Sequence, residues 1–341
     1  MRELLKRITP KFLIRVRQYF ENLYYFYPSD FAPVAKELSK ETGIPHWVLW
    51  LDMFLSFLRH IIVPQEYKMY RFYERSRWAR AWFLSRCRND AICALFNPQQ
   101  YRALFDNKNE FNRYFSEFIR REWLYAPDAS DQQIEDFLRT QEQIIVKPHD
   151  ASYGIGVHKA LYAEVTDMRA FCESARKERS LLEEIVKQHA DLGSINPTSV
   201  NTIRINTVVD QEGVPHVLCA ALRIGRGESI ADNLHSGGIG ARIDLDSGVL
   251  FTLAVGNDLQ THVKHPISGV ILPGFQIPHW EAAKEMVLCA AKMIPQTRWI
   301  GWDVAITETG PLLIEGNRQS NTDILQLPAQ TGVYHILRRY V

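Results

Sequence analysis

With 341 residues, 46% of them hydrophobic and 23% charged, the chain is long enough for two or three domains with a buried core. That composition excludes wholesale disorder, a collagen-like repeat and a disulfide scaffold. The net charge is +1, yet residues 1–125 hold 21 Lys and Arg against 13 Asp and Glu, whereas residues 126–341 hold 19 against 26. A basic half therefore precedes an acidic one.

The opening segment MRELLKRITPKFLIRVRQYF is basic, but Lys11, Arg15 and Arg17 interrupt its apolar runs, so it fails as a secretory signal. Residues 48–63 form the most apolar window; with Asp52, Arg59 and His60 inside it, it is too short to span a bilayer and reads as a buried helix. Cys87, Cys93, Cys172, Cys219 and Cys289 are scattered and contain no C-x-x-C pair, which removes a zinc or redox signature and reads as reduced core thiols in the cytoplasm. Up to about residue 125 the pattern is helical and aromatic, with Gly43 the only glycine before Gly154, which argues against an N-terminal domain built on glycine turns. Residues 66–88 set Lys68, Arg71, Arg75, Arg77, Arg80, Arg86 and Arg88 among Tyr70, Phe72, Tyr73, Trp78, Trp82 and Phe83. Two readings stand for this stretch: a solvated helix face packed by its aromatic side, or contact with an anionic surface such as phospholipid headgroups or a charged glycan carrier.

From about residue 143 the texture changes to short β-branched runs punctuated by glycine: QIIVKP, GVHKALY, SLLEEIV, NTIRINTVV, HVLCAALRIG, GARIDLD, TRWIGWDVAI and PLLIEGN. These predict the strands of an α+β domain, with helices over 167–179 and 280–293.

The last two runs are joined across Thr307-Glu308-Thr309-Gly310-Pro311, a stretch with turn chemistry. If Ile306 pairs with Leu312, Asp303 falls opposite Glu315 and Asn317 lies two residues on, on the same face. Facing carboxylates repel, so a cation between them is the natural compensation, and oxygen-only ligands select Mg²⁺ or Mn²⁺ rather than zinc. The alternative is a solvated hairpin with its carboxylates in water. In IIVKPHDASYGIGVHK, an apolar strand ends in Lys147 and a loop with Ser152, Gly154 and Gly156 follows, which suits phosphate: the lysine supplies charge and the glycines let backbone N–H groups approach. A plain hairpin turn is the competing reading. Arg204 and Arg223 project from strands and Asn233 precedes Ser236-Gly237-Gly238; the arginine fork fits carboxylate or phosphoryl oxygens, with an ion pair to Asp232 or Asp244 as the alternative. His262 and His265 read as a solvent-facing pair.

Taken in order, these blocks resemble the ATP-grasp superfamily over about residues 100–330. The strings EEIVKQH, SVNTIRINT, RIGRGESIADNLHSGG, HPISG and IGWDVAITETGPLLIEGN look most like the sugar-transfer-associated ATP-grasp proteins. The resemblance implies an ATP-grasp fold: residues 1–100 would be a helical, basic and aromatic region, 101–183 the small subdomain and 184–341 the large one with the metal site. Lys108 and Lys147 would hold ATP phosphates and residues 152–156 would cover them. Glu183, Glu184, Ile185 and Val186 form the hinge strand, with backbone groups of the last three meeting adenine. Asp303, Glu315 and Asn317 would hold Mg²⁺, and Arg204, Arg223 and Asn233 would face the transferred phosphoryl group and the acceptor. Two departures stand out. The upstream region is helical rather than α/β, and after Asn317 the small-Pro-Gly continuation is replaced by RQSNTDILQLP.

The expected activity is a carboxylate–amine ligase working through an acyl phosphate, with ATP, a carboxylate and an amine, sugar-linked in a cell-surface setting, as partners and no nucleic acid. A phosphotransferase acting on a sugar or lipid hydroxyl is the first alternative. A nucleotide-sensing adaptor bound through the N-terminal half, at the inner face of the membrane, is the second.

Overall fold

A computed structural model of the chain describes residues 27–149, 156–227 and 237–341. Helix α1 (Pro28–Thr42) begins with proline in its first turn, where the missing N–H has no intrahelical partner to lose. It stops at Gly43, which takes φ +75° and donates its N–H to Ser39 O at 3.0 Å. Helix α2 (His46–His60) lies against it, and Phe31, Leu38, Leu49, Met53 and Phe57 share one buried cluster with Tyr67, Tyr70, Phe72 and Phe83. Tyr70, Phe72 and Phe83 of the 66–88 stretch are thus core, whereas Trp78 and Trp82 are exposed. Three of its seven cations are bound inside the fold: Arg80 grips both Asp52 oxygens at 2.7 Å, Arg75 donates to Tyr70 O at 2.6 Å and to Gln330 at 2.7 Å, and Arg88 lies over the Tyr334 ring. The 48–63 window is a helix buried on one face only, with Leu51, Leu55 and Leu58 exposed on the other.

Helix α3 (Arg86–Phe96), capped by the Ser85 hydroxyl, and helix α4 (Lys108–Tyr114), capped by Asn107, lead into two antiparallel sheets. The smaller holds β1 (Trp123–Tyr125), β2 (Gln143–Lys147), β3 (His158–Leu161) and β4 (Leu181–Glu184) in the order β1-β4-β2-β3. Helices α5 (Asp131–Gln141) and α6 (Met168–Lys177) cover it, burying Ile134, Leu138 and Cys172 against Ile144, Val146 and Leu182.

The larger sheet holds β5 (Ile203–Val209), β6 (Pro215–Ile224), β7 (Ile239–Ile243), β8 (Ala254–Gly256), β9 (Thr261–His262), β10 (Trp299–Thr307) and β11 (Gly310–Asn317), in the order β11-β10-β5-β6-β7-β8-β9. Every residue of β5 is buried because both faces of the sheet are covered. On one face Ile203, Ile205, Trp302, Val304 and Leu313 pack with α7 (Trp280–Met293) and with Phe111 and Phe115. On the other, Val208, Cys219, Ala221 and Trp299 lie under Ile92, Cys93 and Phe96 of α3 and under Leu325, Leu327 and Leu337 of the C-terminal segment. The helical region is therefore packed onto the sheet that carries the candidate metal ligands.

Four cysteines are buried free thiols, but Cys289 is exposed, contrary to its expected place in the core. His265 is also buried rather than solvent-facing: its Nε2 lies 3.0 Å from Gly225 O and its Nδ1 3.1 Å from Ser268 Oγ. Among the described residues, no helix is long and apolar enough to cross a membrane.

Candidate active site

The β10–β11 hairpin brings Asp303 opposite Glu315 by a route the turn alone does not provide. Next to the turn Ile306 pairs with Pro311, one residue away from the expected Leu312, and Val304 pairs with Leu313. Continued, that register would set Asp303 against Ile314. A bulge between Asp303 and Val304 inserts the extra residue, and from there Asp303 pairs with Glu315 and Gly301 with Asn317. The three side chains meet: Asn317 Nδ2 is 3.4 Å from Asp303 Oδ2 and 3.2 Å from Glu315 Oε1.

Asp303 is not solvated. It is buried, sits directly across from Arg204 on β5, and accepts Arg204 Nε at 2.5 Å and Nη2 at 3.0 Å, with Arg223 Nη1 from β6 at 2.6 Å. The arginines thus pair with Asp303 rather than Asp244, whose side chain caps its own turn at Ser247. Burial alone would raise the Asp303 carboxyl, but the two guanidiniums outweigh it and hold the group well below the usual carboxylate range. Glu315 shifts the other way, raised by desolvation and then by the charge of Asp303, but its side chain is exposed, so solvent screens the shift, and Arg223 and Lys147 pull against it.

The smaller sheet supplies the opposite wall. Lys147, the last residue of β2, places Nζ 2.5 Å from Glu183 Oε2, and Arg121 Nη2 is 2.6 Å from Glu183 Oε1, with Asn112 Nδ2 at 3.2 Å. Arg121 and Lys147 overcome the burial of Glu183 and hold its carboxyl at about 2. Arg121 also donates to Leu313 O at 2.6 Å, beside the bulge, and so ties the two sheets together at the site. Lys108 opens α4 and lies 3.3 Å from Pro148 O and 3.4 Å from His149 O, at the end of the strand that carries Lys147. A cavity of about 430 Å³, lined by Asn107, His149 and Arg179 among others, opens next to it, off the Asp303 cluster. Glu184 directs its N–H to Glu122 O at 2.9 Å, and Ile185 and Val186 follow half-buried. Gly156 takes φ +82° at the end of the glycine loop. Ser152, Gly154, Asp232, Asn233 and His235 lie outside the described residues.

Several supports had no signal in the sequence. Arg204 Nη1 donates to Ser320 Oγ at 2.9 Å, and Gly301 makes room for that contact, since a Cβ there would stand 2.1 Å from Ser320 Oγ. Asn89 of α3 donates to Ser320 O at 2.9 Å and accepts Trp299 Nε1 at 3.0 Å, while Asn97 donates to Arg318 O at 2.5 Å and Trp299 O at 2.7 Å. The RQS segment after Asn317 is therefore held from the helical region. Asn206, two residues along β5 from Arg204, is buried with no partner for its amide among the described residues, which extends the polar floor of the site inward.

Two carboxylates and an amide that presents oxygen when turned form an oxygen donor set for a hard divalent cation, in which Asp303 would be shared with Arg204 and Arg223, and Glu315 is the carboxylate with no ion-pair partner among the described residues. Among the described residues no group of three or more His, Cys, Asp and Glu side chains gathers into a metal site, so the amide is needed to complete this one.

The family model of sugar-transfer associated ATP-grasp proteins matches residues 87–340, which includes α3. No curated protein matches the chain. Among solved structures, similar ones include the ATP-grasp ligase PsnB complexed with minimal precursor, Mg and ADP (12% identity, 75% of this chain and 65% of that chain, TM-score 0.45). D-alanyl-alanine synthetase A from Vibrio cholerae (14%, 70% and 61%, 0.42) and the ADP complex of purK, N5-carboxyaminoimidazole ribonucleotide synthetase (10%, 66% and 47%, 0.43), are others. The chain thus spans just under two thirds of the first of these structures.

Proposed function

The chain belongs to the sugar-transfer associated ATP-grasp family, and from that premise we propose that it is an ATP-dependent carboxylate–amine ligase that works through an acyl phosphate on a sugar-linked or other cell-surface substrate. The observation that carries this reading is that Arg204 and Arg223 close on Asp303, which stands opposite Glu315, while the other sheet holds Lys147 in place through Glu183.

In this reading ATP lies between the two sheets, in the cleft between residues 101–183 and 184–341. Lys108 and Lys147 neutralise its phosphates, and Glu183 holds the Lys147 ammonium in place. Asp303, Glu315 and Asn317 would hold Mg²⁺, which when bound offsets charge on the phosphate oxygens. A substrate carboxylate oxygen attacks the γ-phosphorus and the bond to the β-phosphate oxygen breaks, releasing ADP. Arg204 and Arg223 turn N–H groups toward the oxygens of the acyl phosphate as their charge develops, and the planar fork fits them better than an ammonium does. An amine then attacks the acyl carbon, inorganic phosphate leaves with the C–O electron pair, and the amine gives up a proton. The family's association with sugar transfer supports a glycan-linked substrate.

The test is incubation of the purified protein with ATP, Mg²⁺ and a cell extract, with and without hydroxylamine. A hydroxamate formed together with ADP supports the ligase. A phosphorylated hydroxyl compound with no hydroxamate would replace it with the phosphotransferase reading.

A further inference from the structure

Helix α2 carries a second apolar face. Trp47, Leu51, Leu55 and Leu58 follow each other at spacings of four, four and three, which aligns them in one stripe along the helix. They are 62%, 46%, 39% and 51% exposed, while Leu49, Met53 and Phe57 on the other side are in the core. The stripe contains no acidic residue, and Asp52 beside it is gripped by Arg80 and by the Tyr67 hydroxyl. That Arg80–Asp52 pair docks residues 77–80 against α2 and sets Trp78, 72% exposed, in the same region, with the Arg77 guanidinium over its ring.

Both signs of charge occur on the neighbouring elements, but Glu37, Glu41, Asp52 and Glu74 there are paired. Glu37 and Glu41 pair with Lys68, and Glu74 with Arg71, whereas exposed Arg59 and Arg77 have no acidic partner among the described residues. Residues 1–26, which join the described chain at the head of α1, contain six Lys and Arg against two Glu. Exposed tryptophan and leucine rimmed by uncompensated arginine match a layer with an apolar interior and an anionic surface. A protein groove would satisfy the leucines but gives no use for the surplus positive charge.

We propose that the α2 face binds the surface of an anionic lipid bilayer, with Trp47, Leu51, Leu55 and Leu58 entering the headgroup–acyl boundary and the basic residues lying over the headgroups. This does not depend on the ligase reading and bears on where the activity takes place.

The experiment is co-sedimentation of the full chain with vesicles of phosphatidylcholine alone or with roughly 30% phosphatidylglycerol added, at low and high salt. Binding should be at least roughly tenfold stronger to the anionic vesicles and should weaken with salt. The double variant Leu51→Glu, Leu55→Glu should lose roughly tenfold or more of it with an unchanged melting temperature, because both side chains are exposed in the free protein. Failure of the wild type to sediment, or equal binding by the variant, overturns the proposal. A wild-type dimer in solution that the variant dissolves also overturns it and assigns the face to a second copy.

Discussion

Asp303→Asn and Glu315→Gln both remove one carboxylate from the candidate metal site, yet the structure demands opposite effects on stability. Asp303 is the shared partner of two guanidiniums, and the three side chains are only 3%, 10% and 12% exposed. Removing one member of a buried ion pair costs about 3–5 kcal/mol, because the remaining charge stays buried. Asparagine keeps one acceptor oxygen and Glu315 stands beside the arginines, so a loss of about 2–3 kcal/mol is expected, or a melting temperature lower by roughly 3–8 °C. Glu315 is a like charge facing Asp303, and its carboxyl is raised by desolvation and by that neighbour. Its neutral isostere should leave the melting temperature unchanged or raise it by about 1–2 °C. Differential scanning fluorimetry of the ligand-free proteins reads both. Equal destabilisation by the two substitutions, or none by Asp303→Asn, would refute the assignment of Asp303 as the counter-ion of Arg204 and Arg223.

Two further outcomes follow from packing and protonation. Gly301→Ala places a Cβ against Ser320 and should cost about 1–3 kcal/mol in urea unfolding; Ser320→Gly in the same chain should restore most of it, and no recovery would place the clash elsewhere. Burial pushes the Glu66 carboxyl from 4.5 up to about 8, so the folded state binds a proton that the unfolded state releases, and stability falls as pH rises through the window from about 4.5 to about 8. Glu66→Gln should flatten that fall in a pH series of melting temperatures, and an unchanged slope would clear Glu66 as its cause.

The strands themselves were legible because each carries its own alternation and its own turn residues; the helix at 280–293 and all eight expected strands are present. The Asp303–Glu315 pairing was legible only in outcome. A one-residue error at the turn, where Pro311 rather than Leu312 meets Ile306, is cancelled by the bulge at Val304, and a bulge leaves no mark in an apolar pattern. Contacts between distant positions were not legible. Arg204 and Arg223 lie 99 and 80 positions from Asp303, and their pairing depends on which strands adjoin β5. Arg121, next to Arg120 in no motif, owes its role to the junction of the two sheets. Asn89 and Asn97 look like ordinary helix and loop polar residues until α3 is laid on Trp299 and Ser320. The basic aromatic stretch misled in a related way, since Arg75, Arg80 and Arg88 find their partners inside the fold, and the exposed apolar stripe lies instead on α2.

Titration calorimetry of ADP, with and without Mg²⁺, against the wild type, Glu315→Gln and Lys147→Ala tests the site most directly. The wild type should bind ADP more tightly with Mg²⁺ than without. Glu315→Gln should lose most of the Mg²⁺ dependence while keeping metal-free binding, and Lys147→Ala should weaken binding under both conditions, by about tenfold or more for the loss of one charge-assisted contact. Wild-type affinity and Mg²⁺ dependence in both variants would contradict the assignment of Lys147 and Glu315 to the nucleotide site.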